Sequence, residues 1–487
     1  MKAGRAAVVV TIIVAVAVVG VVAIIATAVS AIFIFGAPVP GQQAGSLSSS
    51  PSSLPPPPAS DSEGQDSLPQ QQDGPSVNVS FDEPVNLTKN PADSVYGQVA
   101  AAQDGSVYVV WQESVEGQRY TDEEEDSNIG DSNYDIFMIK SADRGASFDT
   151  ADAVNISRNP GFSEHPQIAV SADGGSIYVV WTDNNNNGSG GKQVMFAKSD
   201  DRGASFGTPV ALGRAGSFNP EIAAAGDERV YVIWQEEGNG GSSGRIMLAS
   251  SSDGGDSFSA PTPLYSDGSA GTLFSESFPK VAAQGDGVYA VWGVQDVNGS
   301  SSGDSSSNGN QSQSLLYSKS LDGGTTFSAP QKLNGGIAVG EAQVAAYRNE
   351  VHVVWGGLNT STDSLFYVRS TDGGNSFSAP AVIKSGDSMV NPLNVELAVA
   401  SPSSVYIAAQ AITSTTNEDE IMLLSSTDGG RSFSGSVTNL SNNVGVSECP
   451  SISVSGNDMF VIWEDMPGDD EQGDSSHEIL FAKGSPA

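Results

Sequence analysis

Short segments in which apolar residues alternate with polar ones, or stand together, recur along residues 77–487. One segment of each repeat is an apolar run that usually ends in Trp, at residues 107–111, 177–181, 230–234, 288–292, 351–355 and 459–463, with a copy lacking Trp at 405–410. A second segment alternates, as in residues 136–140 and 365–369. With one short apolar segment on either side, each repeat predicts four antiparallel strands, the pattern of a β-propeller blade.

The octet Ser-x-Asp-x-Gly-x-x-Phe follows the alternating segment in six of these repeats. Its copies lie at residues 141–148, 199–206, 251–258, 320–327, 370–377 and 426–433, and their aspartates are Asp143, Asp201, Asp253, Asp322, Asp372 and Asp428. The sequence is typical of a hairpin turn, in which the carboxylate accepts a backbone N–H two residues on and Gly adopts a positive φ. We therefore interpret these aspartates as structural and the Phe as an apolar plug.

The number of repeats predicts the number of blades. There are seven Trp-type segments but six octets, and the seventh repeat stops at residues 481–483, where its octet should begin. Residues 80–87 near the N-terminus resemble residues 257–264, which follow an octet. The sequence therefore predicts an all-β, seven-bladed propeller over residues 77–487, whose last blade is closed by an N-terminal strand at 80–88 beside residues 479–483. Closure removes an exposed strand edge.

Charge and composition exclude some functions. The chain has 57 acidic residues against 21 Lys and Arg, a formal net charge of −36. Such a surface repels phosphate backbones, so we expect no nucleic-acid partner. Cys449 is the single cysteine of the sequence, so no intramolecular disulfide can form. No cofactor motif is present, and the acidic excess leaves Ca²⁺ as the one cofactor to consider.

The N-terminal region predicts a membrane anchor and a stalk. Residues 6–35 contain no charged side chain and follow Lys2 and Arg5. This exceeds both the roughly 20 residues that cross a bilayer as a helix and the apolar part of a signal peptide, about 7–15 residues. We expect an anchor in residues 1–36 with a cytoplasmic N-terminus and an extracellular propeller; a cleaved signal and a secreted protein are the alternative. Residues 37–76, rich in Pro, Ser and Gln, predict a disordered stalk.

The octets resemble the Asp box, or BNR repeat, of sialidases and related propellers. The chain is also similar to archaeal and bacterial surface proteins described as sialidase-like. A sialidase activity implies three arginines that bind the substrate carboxylate, the first in an Arg-Ile-Pro motif, with a Tyr–Glu pair and an Asp acid/base. No Arg-Ile-Pro occurs here. Arg158, Arg214 and Arg245 fall in or beside connections at the end of the propeller opposite the octets, and are the candidates if the chain is such an enzyme.

The long connections after the Trp segments predict the working face. Two of them are strongly acidic, at residues 122–126 and 465–474. Loops on a rigid scaffold often carry function. Asp126, Asn128 and Asp131 have spaced oxygens suited to an irregular Ca²⁺ site, although a solvated acidic surface explains them as well.

Two functions stay open from the sequence. The first is a non-catalytic, membrane-tethered extracellular module, glycosylated at some of its Asn-x-Ser/Thr sites, that recognises a glycan or a protein through its long acidic loops. The second is a glycoside hydrolase of exo-α-sialidase type. A buried cluster of arginines facing an acid and a tyrosine favours the enzyme, and its absence favours the binding module.

Overall fold

The computed structural model describes the residues of the repeats and most of their short turns. The described residues are 73–74, 79–90, 92–115, 133–159, 161–184, 191–238, 244–266, 273, 278–296, 313–335, 337, 339–357, 364–383, 389–413, 418–443, 445–467 and 476–486. All of them belong to the unit Gln65–Ala487. The predicted anchor at 1–36, the predicted stalk at 37–76 except residues 73–74, and the acidic connection with Asp126, Asn128 and Asp131 lie outside them.

The described residues form seven antiparallel sheets, which we call blades 1 to 7 in chain order. From blade 1 to blade 7 the inner strands are Ser94–Ala101, Phe162–Val170, Ser217–Ala225, Lys280–Gln284, Ala342–Tyr347, Val390–Val399 and Gly445–Ser455. The second strands are Val107–Ser114, Ile177–Asn184, Arg229–Glu236, Gly287–Gln295, Glu350–Gly356, Val405–Ile412 and Asp458–Pro467. The third strands are Tyr134–Ser141, Gln193–Ser199, Arg245–Ser251, Gln313–Ser320, Leu365–Ser370, Asp419–Ser426 and Glu478–Pro486.

The outer strands are shorter than the other three. Blades 1 to 6 have Val154–Asn155, Val210–Ala211, Thr262–Ser266, Gln331–Lys332, Ala381–Ile383 and Thr438–Asn439. A 3-10 turn, Thr150–Asp152, precedes the first of them. Each inner strand contacts the inner strands of both neighbouring blades, and the contact between blades 7 and 1 completes the ring. The seven-bladed propeller that the repeat predicts is therefore confirmed.

Blade 7 takes its outer strand from the N-terminal side of the chain. Val79–Phe81 pairs with residues 484–486, and Val85–Asn86 pairs with Leu480 and Phe481 of the third strand. The Leu87 N–H donates to the Ile479 carbonyl at 2.8 Å, and the Leu87 side chain is buried in the core between blades 7 and 1. The first and last segments of the propeller sequence are thus held together in one sheet.

The apolar core is divided into seven clusters, one at each interface between blades. Every Trp is buried and packs toward the preceding blade; Trp181, for example, joins the cluster of blades 1 and 2. Blade 6 has Ala409 at this position, and Met389 and Met422 contribute to the cluster between blades 5 and 6. The aromatic residues of the repeat therefore hold the blades together, as the sequence predicts.

The octet turns have one hydrogen-bond pattern in all six copies. In the first, Oδ1 of Asp143 accepts from the Ser141 hydroxyl at 2.6 Å and from the backbone N–H of Ser147 at 2.9 Å, while Oδ2 accepts from the Ser147 hydroxyl. The Ser141 hydroxyl oxygen accepts the Gly145 N–H at 2.9 Å. These bonds lower the pKa of Asp143 to about 2. The carboxylate therefore accepts a backbone N–H four residues on, and the expected two-residue bond is wrong.

The carboxylate bonds to the residue four positions on, and not two, because two consecutive residues of the octet have a positive φ. Arg144 and Gly145 have φ of 61° and 77°, and Gly254 and Gly255 have 67° and 84°. The two consecutive left-handed residues turn the backbone so that the N–H four residues after the Asp lies within reach of its carboxylate. The octet Phe then contacts the third strand of the preceding blade; the ring centroids of Phe148 and Phe481 are 4.8 Å apart. The octet is thus also an inter-blade contact.

The second strands continue beyond the Trp positions at which the sequence pattern suggested they end. The strand of blade 1 runs to Ser114 and that of blade 7 to Pro467, so Gln112 and Glu464 lie within strands rather than at the start of loops. Their partners are inner-strand residues, which supply ladder hydrogen bonds that hydrophobic patterning does not reveal. The residue after each Trp position is therefore held within a strand.

His352 gives a testable pH dependence of stability. It occupies the position of Tyr289 in blade 4, is 1% exposed, and its Nδ1 lies 2.5 Å from the Tyr367 hydroxyl. Burial, with a smaller effect of the Arg369 charge, lowers the pKa of His352 to about 4. The unfolded chain binds this proton below pH of about 6.5 and the folded protein does so only near 4, so stability falls as pH falls between these values.

Replacing His352 with Tyr, as in blade 4, should remove this dependence. Urea unfolding between pH 7 and 4 should show the wild type losing about 3 kcal/mol more stability than the variant. Parallel pH profiles for the two proteins would show that His352 does not titrate in this window.

Among the described residues, no helix is long and apolar enough to span a membrane.

Candidate functional site

Two ends of the propeller are distinguished by the strand directions. The octets and the turns between inner and second strands lie at one end, which we call the octet face. The second strands end, and the inner strands begin, at the other, which we call the long-connection face. At that face the inner strands surround the opening of the central channel.

A ring of seven side chains lies at this opening. Its members, which we call the channel ring, are Tyr96, His165, Asn219, Phe278, Glu341, Asn394 and Cys449, one from each inner strand or the residues just before it, and all are half-buried. Six of them have a positive φ, between 31° and 54°, with Glu341 as the exception. Five inner strands shift register against the second strand here. Left-handed non-glycine residues are costly and concentrate at functional sites.

Hydrogen bonds between blades hold these bulges. The Tyr96 N–H donates to Oε1 of Glu464 at 2.5 Å, and the His165 N–H donates to Oε1 of Gln112 at 3.2 Å. In each pair the acceptor directly follows the Trp of the preceding blade. The Asn219 N–H to Thr182 bond, at 3.2 Å, repeats the arrangement. The ring is therefore a fixed feature of the scaffold, independent of the long loops.

A buried lysine organises one side of the channel. Nζ of Lys280 lies 3.3 Å from Oε2 of Glu221 and 3.6 Å from Oε1 of Glu341, so three adjacent blades meet at one ammonium group. Burial opposes the charge of Lys280, but the surrounding carboxylates raise its pKa. Burial raises the pKa of Glu396 to about 8, and Glu396 accepts from Nε2 of Gln343 at 2.8 Å. Four inner-strand regions thus share one mixed cluster.

The other side of the channel carries carboxyl groups without a lysine. Glu448 and Glu464 are directly opposite each other in the inner and second strands of blade 7. Burial raises the pKa of Glu464 to about 7, and burial together with the charge of Asp419 raises the pKa of Glu448. Among the described residues, neither has an ion pair with Lys or Arg.

The Tyr96 side chain lies near these carboxyl groups, whose charges act on it, and the His165 ring lies beside Tyr96. The rings of Tyr96 and His165 are tilted by 57°, with centroids 4.4 Å apart. Nδ1 of His165 is buried and has no hydrogen-bond partner among the described residues. Burial lowers the pKa of His165, and the positive charges of Lys192 and Lys280 act in the same direction. The imidazole is therefore neutral near pH 7, and its Nδ1 is a buried polar atom without a hydrogen bond among the described residues.

The structure does not bring the three candidate arginines together. Arg214 and Arg245 both lie against the buried carboxylate of Glu236, at 2.9 and 3.7 Å, and their side chains are 45% and 43% exposed. Arg158 is exposed in blade 1, where its Nε donates to the Asn155 carbonyl at 2.7 Å. All three lie beside third or outer strands, away from the channel ring. No arginine occurs in the described inner strands.

The described residues likewise form no cluster of metal ligands. The described residues contain no group of three or more His, Cys, Asp or Glu side chains arranged to hold a metal ion. Asp126, Asn128 and Asp131 lie outside the described part of the chain, so the Ca²⁺ site there stays a prediction from the sequence.

The channel residues were missed in the sequence analysis, although a signal for them was present. The dipeptides His165-Pro166, Asn219-Pro220, Phe278-Pro279 and Cys449-Pro450 lie within or just before four inner strands and mark the positions with a positive φ. His165 lies within the strand Phe162–Val170. Cys449 is half-buried, and the charges of Glu464 and Glu448 add to the effect of burial in raising the pKa of its thiol.

Comparisons with known proteins identify the fold. No family model and no curated protein sequence matches this chain. A protein of unknown function from Dyadobacter fermentans has a similar structure, with a TM-score of 0.51, 15% identity, and coverage of 84% of this chain and 99% of that one. An ulvan lyase, a polysaccharide lyase, gives a TM-score of 0.50 at 11% identity, covering 83% of this chain and 94% of its own.

A phage phi92 endosialidase also matches, with a TM-score of 0.46, 9% identity, and coverage of 84% of this chain and 69% of that one. The likenesses to the first two structures show the fold of this chain, a β-propeller, and no more.

Proposed function

We propose that this chain is a non-catalytic, membrane-tethered extracellular propeller of the Asp-box kind that recognises a glycan at its long-connection face. One observation carries the proposal: polar and aromatic side chains from all seven blades converge on the channel ring, and no arginine stands among the described inner-strand residues. Concave sites with a few fixed polar groups beside aromatic rings are typical of small-ligand recognition. The repeated octet geometry supports the assignment to Asp-box propellers.

The arrangement argues against a sialidase. Such an enzyme binds the carboxylate of its substrate with clustered arginines, whereas Arg214 and Arg245 already pair with Glu236, and Arg158 is bound within its own turn. The Tyr96–Glu464 contact uses the backbone N–H of Tyr96, so the phenol is not the group that meets the carboxyl. Carboxyl groups at the channel also repel an acidic sugar.

The chain enters the propeller at the octet face. Asp73–Gly74 pairs in parallel with Phe433–Ser434, at the end of the octet of blade 6, and Val79 pairs at the C-terminal end of the last strand. Both contacts lie at the end of the propeller opposite the channel ring.

Binding and hydrolysis assays on the purified full-length protein test this function. We expect binding to a subset of glycans on an array and no turnover of a fluorogenic sialoside. Tyr96→Ala, at the channel ring, should abolish the array binding, and Arg214→Ala should leave it unchanged. Turnover that disappears in Arg158→Ala, Arg214→Ala or Arg245→Ala would contradict the proposal, as would glycan binding that is unaffected by Tyr96→Ala.

A further inference from the structure

An open pocket of about 430 Å³ lies at the octet face, between blades 4 and 5. Its lining includes Gly287, Tyr289 and Leu321 of blade 4, and Arg348 and Asp372 of blade 5. A pocket of this size suits a small organic molecule. It is separate from the channel ring, which lies at the opposite end of the propeller.

Arg348 is held in a backbone conformation that favours glycine. It begins the short turn between the inner and second strands of blade 5, and its φ is 56°. The equivalent turns of blades 4 and 7 begin with Gly285 and Gly456, whose φ values are 58° and 63°. A left-handed residue other than glycine costs stability, and such residues concentrate at functional sites. The arginine is therefore present at a cost that glycine would avoid.

The charge of Arg348 is also unmatched. The guanidinium carbon lies 5.4 Å from the centroid of the Tyr347 ring, and the side chain has no ion pair among the described residues. The other left-handed arginines of the octet face, Arg144 and Arg202, each form an ion pair with an Asp of the preceding blade. Arg348 therefore lacks the partner that explains the other two.

The acids of the pocket are already engaged elsewhere. Asp286 forms an ion pair with Arg229 of blade 3. The carboxylate of Asp372 accepts from the hydroxyls of Ser370 and Ser376 in its own octet, at 2.7 and 2.6 Å, and these bonds lower its pKa. One cation thus remains without a partner in the pocket.

An apolar wall and a hydroxyl lie beside this cation. Leu321 is 52% exposed, the most exposed large apolar side chain in the described part of the chain, and the other octets have a small or polar residue at its position. The Tyr289 hydroxyl has no hydrogen bond among the described residues and lies against Gly287, where a Cβ would collide with it. The six other blades have Ser, Arg, Glu or Asp in place of Gly287.

We propose that this pocket binds a small monocarboxylic acid with a branched apolar body. The planar guanidinium of Arg348 matches a carboxylate, the Tyr289 hydroxyl donates to it, and the apolar body covers Leu321. A monoanion matches one unmatched cation, whereas a phosphate dianion would also face the carboxylates of Asp286 and Asp372. The inference goes beyond the proposed function and is independent of it.

Matched ligands test the chemical class on the full-length protein. Saturation-transfer NMR titrations compare N-acetyl-leucine with N-acetyl-leucinamide, which has the same apolar body and no charge. We expect the acid to bind at least about tenfold more tightly than the amide. N-acetylglycine, which lacks the apolar body, and inorganic phosphate should both bind more weakly than N-acetyl-leucine. Equal affinity for the acid and its amide, or for the leucine and glycine acids, would overturn the proposal, as would tighter binding of phosphate.

A matched pair of arginine variants tests the site. Arg348→Gly supplies the residue that blades 4 and 7 have, so it should melt at or above the wild-type temperature while binding N-acetyl-leucine at least about tenfold more weakly. Arg202→Gly removes the same charge from a left-handed residue of the same face and should bind as the wild type does. Unchanged binding by Arg348→Gly, with a lower melting temperature, would show a structural role and overturn the site. Equal weakening in both variants would show binding by the general charge and overturn it as well.

Tyr96→Ala separates this site from the proposed glycan site. This variant should bind N-acetyl-leucine as the wild type does, whatever its effect on glycan binding. Loss of N-acetyl-leucine binding in Tyr96→Ala would place the ligand at the channel and overturn the proposal. Absence of N-acetyl-leucine binding by the wild type contradicts the octet-face site and leaves the proposed function unchanged.

Discussion

A protein that begins at residue 89 should be less stable than one that begins at residue 79, and it should aggregate. The shorter protein lacks Val79–Phe81, Val85–Asn86 and the buried Leu87, which together form the outer edge of blade 7. Loss of one buried Leu costs about 2–5 kcal/mol, and the lost backbone bonds add to it. The third strand, Glu478–Pro486, would then present an open edge.

Thermal unfolding and size-exclusion chromatography measure this effect. The protein from residue 79 is the matched control, because it keeps the closing strands and lacks the same N-terminal residues. A shorter protein that is monomeric and melts at the same temperature as this control would contradict the role of the closing strands.

Replacing Lys280 with Met should destabilise the propeller by about 3–5 kcal/mol near neutral pH, because Glu221 and Glu341 would be left at a buried site without their cation. The penalty should decrease as pH falls, since protonation removes the uncompensated charges. Adding Glu221→Gln to Lys280→Met should restore part of the stability.

Lys332→Met is the matched control for this prediction. Lys332 is 53% exposed and pairs with Asp296 at the surface, where the loss of an ion pair costs less than about 1 kcal/mol. Urea unfolding at several pH values compares the variants. Equal, small effects of Lys280→Met and Lys332→Met would show that the channel cluster does not depend on its lysine.

The blade pattern was predictable from the sequence because it is local and repeated. The Trp segments and octets recur with the same internal spacing, and hydrophobic alternation defines strands without knowledge of the rest of the fold. The closing strand was also predictable, since residues 80–87 resemble a segment that follows an octet. The octet bond from Asp143 to Ser147 was not, because it depends on the positive φ of Arg144 beside that of Gly145.

The channel site was harder to predict because its contacts join blades that are far apart in sequence. Tyr96 and Glu464 are separated by 368 residues. The sequence analysis placed Arg214 and Arg245 at the correct end of the propeller, but their distance from the central axis depends on the strands beside them. Arg214 follows the outer strand of blade 2, and Arg245 begins the third strand of blade 3. Patterning gives the face of a sheet on which a residue lies, not its distance from the central axis.

Hydrogen–deuterium exchange tests the central claim, that the function resides at the channel opening. The full-length protein is compared with and without the glycan that binds it most tightly on the array. We predict slower exchange at the starts of the inner strands, in residues 94–98, 163–167 and 446–451, with unchanged exchange in the octets. Slower exchange confined to the octets, or to the outer strand region around Arg214, would contradict the account.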